Sequence, residues 1–218
     1  MNARVVAIDG AAGSGKSTLA RALAERLDLP YLNTGLMYRA LAAAALARNV
    51  DPGDGAALLR LTSGLRFTVG GERPPQLQVE GYDEPDLVTP EVEAAVSEVA
   101  SHPEVREWMR DRQRALGEAG AVMEGRDIGS VVFPDAAVKL YLVADPDARG
   151  RRRASERPEG EHDIVEALRA RDARDHRTVP LDRPPKDAVE LDTGELDVQD
   201  TIAAALEEVR RRAPGLLR

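Results

Sequence analysis

The chain contains no cysteine among its 218 residues. Disulfide bonds, a thiolate metal site and a cysteine nucleophile are therefore excluded. This absence does not decide the redox compartment, although it is compatible with the cytosol. The length is enough to bury a substantial core without cross-links, and it suits one domain with insertions or a core with one or two small lobes.

The chain also lacks a net positive charge, and it has few aromatic residues and no long apolar run. The net charge of −8 argues against general nucleic-acid binding, because a polyanion would be repelled. Aromatic residues make up only 3%, so stacking platforms for single strands are scarce. No apolar stretch approaches a membrane span, and the first predicted strand follows Met1 closely. We therefore expect no membrane association and no signal peptide, and we place the protein in the cytoplasm.

Lysine is scarce as well, which makes one lysine informative. Three of the 30 basic residues are lysines, and Lys16 lies in a run that fits the pattern G-x-x-x-x-G-K-[ST]. An apolar segment at 5–8 precedes the run and a helical pattern follows it, which is the context this motif requires. The glycines let backbone N–H groups surround a phosphate, Lys16 can reach the β- and γ-phosphates, and the Ser17 hydroxyl can ligate Mg²⁺. The predicted triphosphate site comprises Gly10, Ala11, Ala12, Gly13, Ser14, Gly15, Lys16, Ser17 and Thr18.

Apolar segments that alternate with helical segments predict parallel βαβ units with right-handed crossovers. Ligands of such sheets bind at the carboxyl ends of the strands. Residues 65–88 instead alternate in the strand manner around Gly-Gly and Pro-Pro turns, which predicts a small antiparallel insert. The five core strands are predicted near 4–9, 30–33, 121–124, 137–143 and 188–191.

A charged segment follows the third of these strands and should face the phosphate loop. Arg126 there can clamp a phosphate, and Asp127 can accept from an amino group. Glu124 stands where a carboxylate near Mg²⁺-bound water would be useful. The alternative is an ordinary charged turn in which Arg126 and Asp127 pair with each other.

Three residues near the second strand form another candidate group. Thr34, Tyr38 and Arg39 bring a hydroxyl, an aromatic ring and a guanidinium to the first turns of one helix. Thr34 could equally cap that helix, and Tyr38 could equally be a core residue.

Two later groups have both a functional and a structural interpretation. Ser97 and Arg106, taken alone, are typical of solvated surface residues. Arg171 and Asp175 are four apart and hence on one helical face, where a surface ion pair contributes a few tenths of a kcal/mol. The run 149–153, with four arginines, could contact nucleic acid, but an arginine lid over a triphosphate explains it better.

In order along the chain, these segments resemble the bacterial cytidylate kinases. The resemblance is carried by Ile8-Asp9-Gly10 with its phosphate loop, Asn33-Thr34-Gly35-x-x-Tyr38-Arg39, the segment 124–136 and Arg171-Asp172-x-Arg174-Asp175. It implies an α/β, three-layer P-loop kinase core with a five-stranded parallel sheet at 1–33, 107–146 and 161–218. It also implies a monophosphate-binding lobe at 34–106, with a small antiparallel insert at about 65–88, and a short lid at 147–160.

The implied reaction is transfer of a phosphoryl group from ATP·Mg²⁺ to CMP or dCMP in pyrimidine metabolism. Such a transfer needs positioning and charge neutralisation more than a covalent catalyst, and we predict Lys16, Arg126 and Arg171 as the catalytic side chains. The resemblance implies that Ser97, Arg106 and Asp127 read the base, that Arg171 and Asp175 contact the ribose, and that Thr34, Arg39 and Arg126 surround the acceptor phosphate. Tyr38 joins the substrate site.

An arginine just after Asp175 completes the implied phosphate contacts. The family spaces these two residues further apart than this chain does, so both Arg174 and Arg177 remain candidates, and we assign Arg177. We expect a monomer whose partners are ATP and CMP or dCMP. The alternatives are a kinase acting on UMP or AMP, and a nucleotide-binding switch, although the guanine-reading N-K-x-D of GTPase switches is missing.

Overall fold

The structure is a computed structural model, and it describes residues 2–150, 161–179 and 184–217. The predicted lid at 147–160 therefore falls mostly outside the described residues. Within the described residues, no helix is both long enough and apolar enough to span a membrane.

A seven-stranded sheet forms the centre of the described fold. Its order is β3-β4-β2-β5-β1-β6-β7, and all neighbours from β2 to β7 run parallel. The five predicted core strands are confirmed, since they correspond to β1, β2, β5, β6 and β7. The strands are β1 (Asn2–Gly10), β2 (Tyr31–Asn33), β3 (Phe67–Gly70), β4 (Gln76–Val79), β5 (Ala121–Gly125), β6 (Ala136–Val143) and β7 (Val189–Asp192).

The insert adds two strands to this sheet, which has seven strands where five were predicted. β3 and β4 pair antiparallel, as expected from residues 65–88. However, β4 also pairs with β2 at Tyr31 and Gln76, and the Tyr31 N–H donates to the Pro75 carbonyl at 2.8 Å. The outer edge of β2 would otherwise leave backbone groups without partners, and the hairpin satisfies them.

Helices cover both faces of the sheet and give the predicted three layers. α1 and α8 bury Leu19, Leu23 and Val209 on one face, while α2 and α5 bury Leu41 and Met109 on the other. The helices are α1 (Lys16–Leu27), α2 (Thr34–Ala47), α3 (Gly55–Leu61), α4 (Pro90–Val99), α5 (Pro103–Gly117), α6 (146–150, to the edge of the described segment), α7 (Glu161–Thr178) and α8 (Val198–Arg212).

Local chemistry explains where several helices begin. α4 starts with proline at its first position, and its N-cap Thr89 accepts from the Val92 N–H at 3.4 Å. Asp197 caps α8 by accepting from the Asp200 N–H at 2.8 Å. Thr34 differs from its capping interpretation, because it is the first residue of α2 and its hydroxyl bonds elsewhere.

Candidate functional site

The phosphate loop joins β1 to α1 and uses glycine where no other residue fits. Gly13 and Gly15 have φ values of 74° and 88°, in the left-handed region. Gly10 has a φ of 149°, and a Cβ there would lie 2.5 Å from the Leu142 carbonyl oxygen. The loop therefore turns its backbone toward the first turn of α1, where free N–H groups and the helix dipole favour an anion.

Lys16, the first residue of α1, is buried at 8% exposure. Its Nζ donates to the Ala11 carbonyl at 2.6 Å, across the loop. Burial, and after it the nearby positive charge of Arg126, lowers the pKa of Lys16 to about 7, although Glu124 partly opposes both. A bound polyphosphate would raise the pKa of Lys16 again, because a nearby negative charge favours the protonated amine.

One cavity of about 630 Å³ extends from the phosphate loop across the carboxyl ends of the strands. It brings together most of the predicted site residues, although they come from five separate segments. Among them, the cavity lining includes Ala12, Gly13, Gly15, Lys16, Ser17, Thr18, Thr34, Tyr38, Arg39, Ser97, Arg106, Arg126, Asp127, Arg171 and Asp175. Gly10, Ala11 and Ser14 belong to the loop but are not among the residues that line the cavity.

Arg177 lies apart from the cavity, on the exposed side of α7. Arg171, Asp175 and Thr178 are spaced by four and three residues, so they share the helix face that lines the cavity. Arg177 is two residues from Asp175, roughly 200° around the helix axis. Arg174 is half-buried and is also outside the lining, whereas Thr178 is part of it.

Arg106 and Asp127 form a buried ion pair rather than solvated surface groups. Arg106 Nη2 donates to Asp127 Oδ2 at 2.6 Å, and Arg110 approaches the same oxygen at 3.6 Å. Arg106 Nη1 also donates to the Ala100 carbonyl at 3.2 Å. The charged-turn alternative for Arg126 and Asp127 is wrong, because each pairs with a distant residue instead.

Asp175 connects three predicted residues. Its Oδ1 accepts from the Ser97 hydroxyl at 2.8 Å, and its Oδ2 accepts two bonds from Arg126 at 2.8 and 3.0 Å. Burial raises the pKa of Asp175, but Arg126 and Arg171 outweigh that effect and hold the pKa below its usual value. The side chains of Arg171 and Asp175 are both largely buried, and Arg171 Nε lies 3.9 Å from Asp175 Oδ2. The interpretation as a surface ion pair is therefore wrong.

Glu93 on α4 is a site residue that sequence reasoning missed. Its Oε1 accepts from Arg39 Nη2 at 3.2 Å, and its Oε2 accepts from Arg171 Nη1 at 3.1 Å. Burial, and after it the charges of Arg39 and Arg126, lowers the pKa of Arg171 to about 10, although Glu93 and Asp175 partly oppose this. The available signal was the spacing of Glu93 four residues before Ser97, which places both on one face of α4.

Glu124, at the end of β5, is held by the start of α2 and by β2. The Tyr31 hydroxyl donates to Glu124 Oε1 at 2.5 Å, and the Thr34 hydroxyl donates to the Glu124 carbonyl at 2.8 Å. Tyr31 also lies within hydrogen-bond reach of Ser17, and burial followed by the charge of Glu124 raises its pKa. Ser17 and Glu124 thus offer oxygen ligands near the phosphate loop, which is the donor chemistry that suits Mg²⁺.

Tyr38 lines the cavity and is partly buried. Burial, the largest influence, raises the pKa of its hydroxyl to about 12, with Asp127 adding to the rise and Arg106 opposing it. It also packs against the core on the α2 side, so Tyr38 is both a core contact and part of the cavity lining.

Asp9, in the Ile8-Asp9-Gly10 motif at the end of β1, anchors the segment after β5. Its two carboxylate oxygens accept from the backbone N–H groups of Ile128 and Gly129 at 2.8 and 2.7 Å. Burial raises the pKa of Asp9 to about 6, although those two bonds lower it. β1 therefore places Asp127 relative to the phosphate loop.

Arg149 is the one arginine of the run 149–153 that the structure describes, and it is buried at 3% exposure. It donates to the Ala12 carbonyl at 2.8 Å and pairs with Asp172 at 2.6 Å. These contacts tie α6 and α7 to the phosphate loop. The remaining arginines of the predicted lid lie outside the described residues.

At its other end, the cavity is lined by residues after β7 that sequence reasoning did not assign. Leu196, Val198 and Ile202 supply an apolar wall. The Thr193 hydroxyl donates to the Ser14 carbonyl at 3.0 Å, which holds this segment against the phosphate loop.

Comparison with known proteins identifies relatives of the whole chain. A family model described as cytidylate kinase matches residues 6–211. The chain is 43% identical to a cytidylate kinase from Thermus thermophilus, over 95% of this chain and 99% of that protein. It is 44% identical to a cytidylate kinase from Geobacillus kaustophilus, over 95% and 96% of the two chains.

Proposed function

The chain belongs to the cytidylate kinase family, and we propose that it transfers the γ-phosphoryl group of ATP to CMP and dCMP. The observation that carries this proposal is one cavity that joins the phosphate loop to buried Lys16, to the half-buried Arg39, Arg126 and Arg171, and to a polar group suited to a pyrimidine. A donor and an acceptor can meet there without an intermediate on the protein.

The donor half is proposed to consist of residues 10–18 and the wall after β7. The loop N–H groups and Lys16 hold the triphosphate, and the apolar wall of Leu196, Val198 and Ile202 receives the adenine. Mg²⁺ would bind the nucleotide phosphates and the Ser17 hydroxyl, with Glu124 nearby, and would supply charge neutralisation when bound.

The acceptor half is proposed to read cytosine with Ser97, Arg106 and Asp127. The cytosine N4 amino group donates, so it suits the Asp127 carboxylate, while N3 and O2 accept from Arg106 and the Ser97 hydroxyl. Neighbouring Asp175 is proposed to contact the ribose with Arg171. This arrangement distinguishes cytosine from uracil, whose O4 would face the same carboxylate without a proton to donate.

The acceptor phosphate is proposed to lie between Thr34, Arg39 and Arg126. The arginines balance charge on the acceptor, and Lys16 and Arg126 balance charge that develops on the transferring group. Besides its proposed ribose contact, Arg171 on α7 is proposed to reach the acceptor phosphate beside Arg39, and it counts with Lys16 and Arg126 as catalytic. Arg177 is not part of this proposed site. We retain residues 34–106 as the proposed acceptor lobe and 147–160 as the proposed lid.

A panel of acceptors tests the proposal. ADP release is measured by a coupled assay with ATP·Mg²⁺ and CMP, dCMP, UMP or AMP in turn. We expect CMP and dCMP to give the highest kcat/KM. A preference for UMP or AMP would refute the base assignment, and ADP release that ignores every acceptor would refute the kinase activity.

We further propose that the enzyme acts as a monomer in the cytoplasm. One chain supplies both halves of the cavity, and charged nucleotides do not cross membranes unaided, so enzyme and substrates share a compartment. Light scattering on the eluting protein tests the oligomeric state, and a dimer would contradict it.

A further inference from the structure

We propose that Glu93 is an internal anion that competes with the acceptor phosphate for Arg39 and Arg171. The inference rests on the proposed function, because it takes these arginines as part of the acceptor site. It gives Glu93 a specificity role: only a phosphate group with enough charge and enough oxygens displaces it.

The carboxylate of Glu93 bridges the two guanidiniums much as a phosphate would. Each of its oxygens takes one arginine, at 3.2 Å from Arg39 Nη2 and 3.1 Å from Arg171 Nη1. All three side chains are largely buried: the exposed fraction is 13% for Arg39, 12% for Arg171 and 17% for Glu93. Water therefore screens these contacts weakly, and an anion that enters must replace them.

The surrounding charges explain why an anion is needed at this point. Lys16, Arg39, Arg126 and Arg171 all line the cavity. Asp175 Oδ2 accepts both hydrogen bonds from Arg126, whereas the Glu93 carboxylate accepts one from Arg39 and one from Arg171. The lowered pKa of Arg171 reflects burial and then the repulsion from Arg39 and Arg126, and the charge of Glu93 relieves it.

A phosphate monoester differs from Glu93 in charge and in the number of acceptor oxygens. It carries nearly two negative charges and three free oxygens, against one charge and two oxygens for the carboxylate. It can therefore satisfy both arginines and still face Arg126. A small monoanion offers no such gain, so Glu93 excludes it at the cost of weaker binding of the correct acceptor.

Glu93→Gln tests the proposal, with Glu91→Gln as the matched control. Both remove one negative charge from α4, but Glu91 is exposed and outside the cavity. Calorimetry without ATP measures binding of CMP and, separately, of inorganic phosphate. Removal of a unit charge a few ångströms from the phosphate predicts binding on the order of tenfold tighter for both in Glu93→Gln. Glu91→Gln should bind both as the unmodified protein does.

A conservative variant separates charge from shape. Glu93→Asp keeps the charge, so its phosphate affinity should stay within about threefold of the unmodified protein. Circular dichroism melts show that each variant is folded at the temperature of the titrations.

Weaker or unchanged binding of CMP and phosphate by folded Glu93→Gln would overturn the inference and would mean that Glu93 orients the arginines. Arg171→Ala distinguishes this from failure of the proposed function. If Arg171→Ala loses CMP binding while Glu93→Gln leaves it unchanged, only the inference fails. If the unmodified protein binds no CMP, the proposed acceptor site fails with it.

Discussion

The pair of Arg106 and Asp127 is the sharpest place to test the site. Asp127→Asn keeps the shape of the side chain and removes its charge. Arg106 then keeps a buried guanidinium at 9% side-chain exposure, and its 2.6 Å contact loses the opposing charge. Arg110, which approaches the same oxygen at 3.6 Å, loses its partner too.

Removal of one partner from a buried pair costs about 3–5 kcal/mol of unfolding free energy. At about 2–4 °C per kcal/mol for a chain of this size, the melting temperature should fall by roughly 6–20 °C. Because Asp127 is also the proposed cytosine acceptor, the KM for CMP should rise by about tenfold or more while the KM for ATP changes little. Urea melts followed by circular dichroism measure the first effect, and initial rates measure the second.

Asp111→Asn is the matched control on the neighbouring helix α5. Asp111 is 64% exposed and lies 3.7 Å from Arg114, so its loss should change the unfolding free energy by about 0.5 kcal/mol or less. A loss below about 1 kcal/mol in Asp127→Asn would refute the assignment of a buried, mutually dependent pair. Equal increases in the KM for CMP and for ATP would refute the base-reading role.

Lys16→Ala should lower kcat by at least about a hundredfold and leave calorimetric CMP binding largely intact, and an equal loss of CMP affinity would contradict its donor role. The pKa of Lys16 is lowered to about 7, mainly by burial, so most of this amine is unprotonated in the free enzyme at pH 8. ATP phosphates should raise the pKa again, so ATP binding should take up a proton and the binding enthalpy should depend on the buffer. Buffer-independent enthalpies would contradict this prediction. Tyr31→Phe removes the 2.5 Å bond to Glu124 and should lower the unfolding free energy by about 1–3 kcal/mol in urea melts, whereas an unchanged midpoint would mean that the bond is not formed. Arg177→Ala should leave kcat/KM for CMP within about twofold, since Arg177 is exposed, and a loss of a hundredfold would place it in the site after all.

The strands of the sheet core were predictable because each is marked by a local run of apolar residues. The alternation in β1 sends Val5 and Ala7 to one helical layer and Val6 and Ile8 to the other, so the strand reads as continuously apolar. The pairing of the insert with β2 was not predictable in this way. It depends on a backbone contact between Tyr31 and residues 75–76, which no local pattern encodes.

The local sequence could not predict which site residues are buried by pairing with residues far away in the chain. Ser97 and Arg106 read as surface residues because their partners, Asp175 and Asp127, are 78 and 21 residues away. Glu93 received no role from the sequence, because its partners Arg39 and Arg171 lie on two other helices. Burial of such charges is decided by neighbours that the sequence does not name.

The sequence by itself determined the phosphate loop and the type of chemistry. Glycines at 13 and 15 take the left-handed backbone that the turn needs, and Lys16 follows at the start of a helix, so the motif specifies its own conformation within eight residues. The tertiary structure alone decided which charges meet. The carboxyl ends of parallel strands share one edge, and there Glu93 bridges two arginines, Asp175 gathers Ser97 and Arg126, and Arg177 is left in solvent. Electrostatic pairing depends on distance in space, and only the packing of distant segments sets that distance.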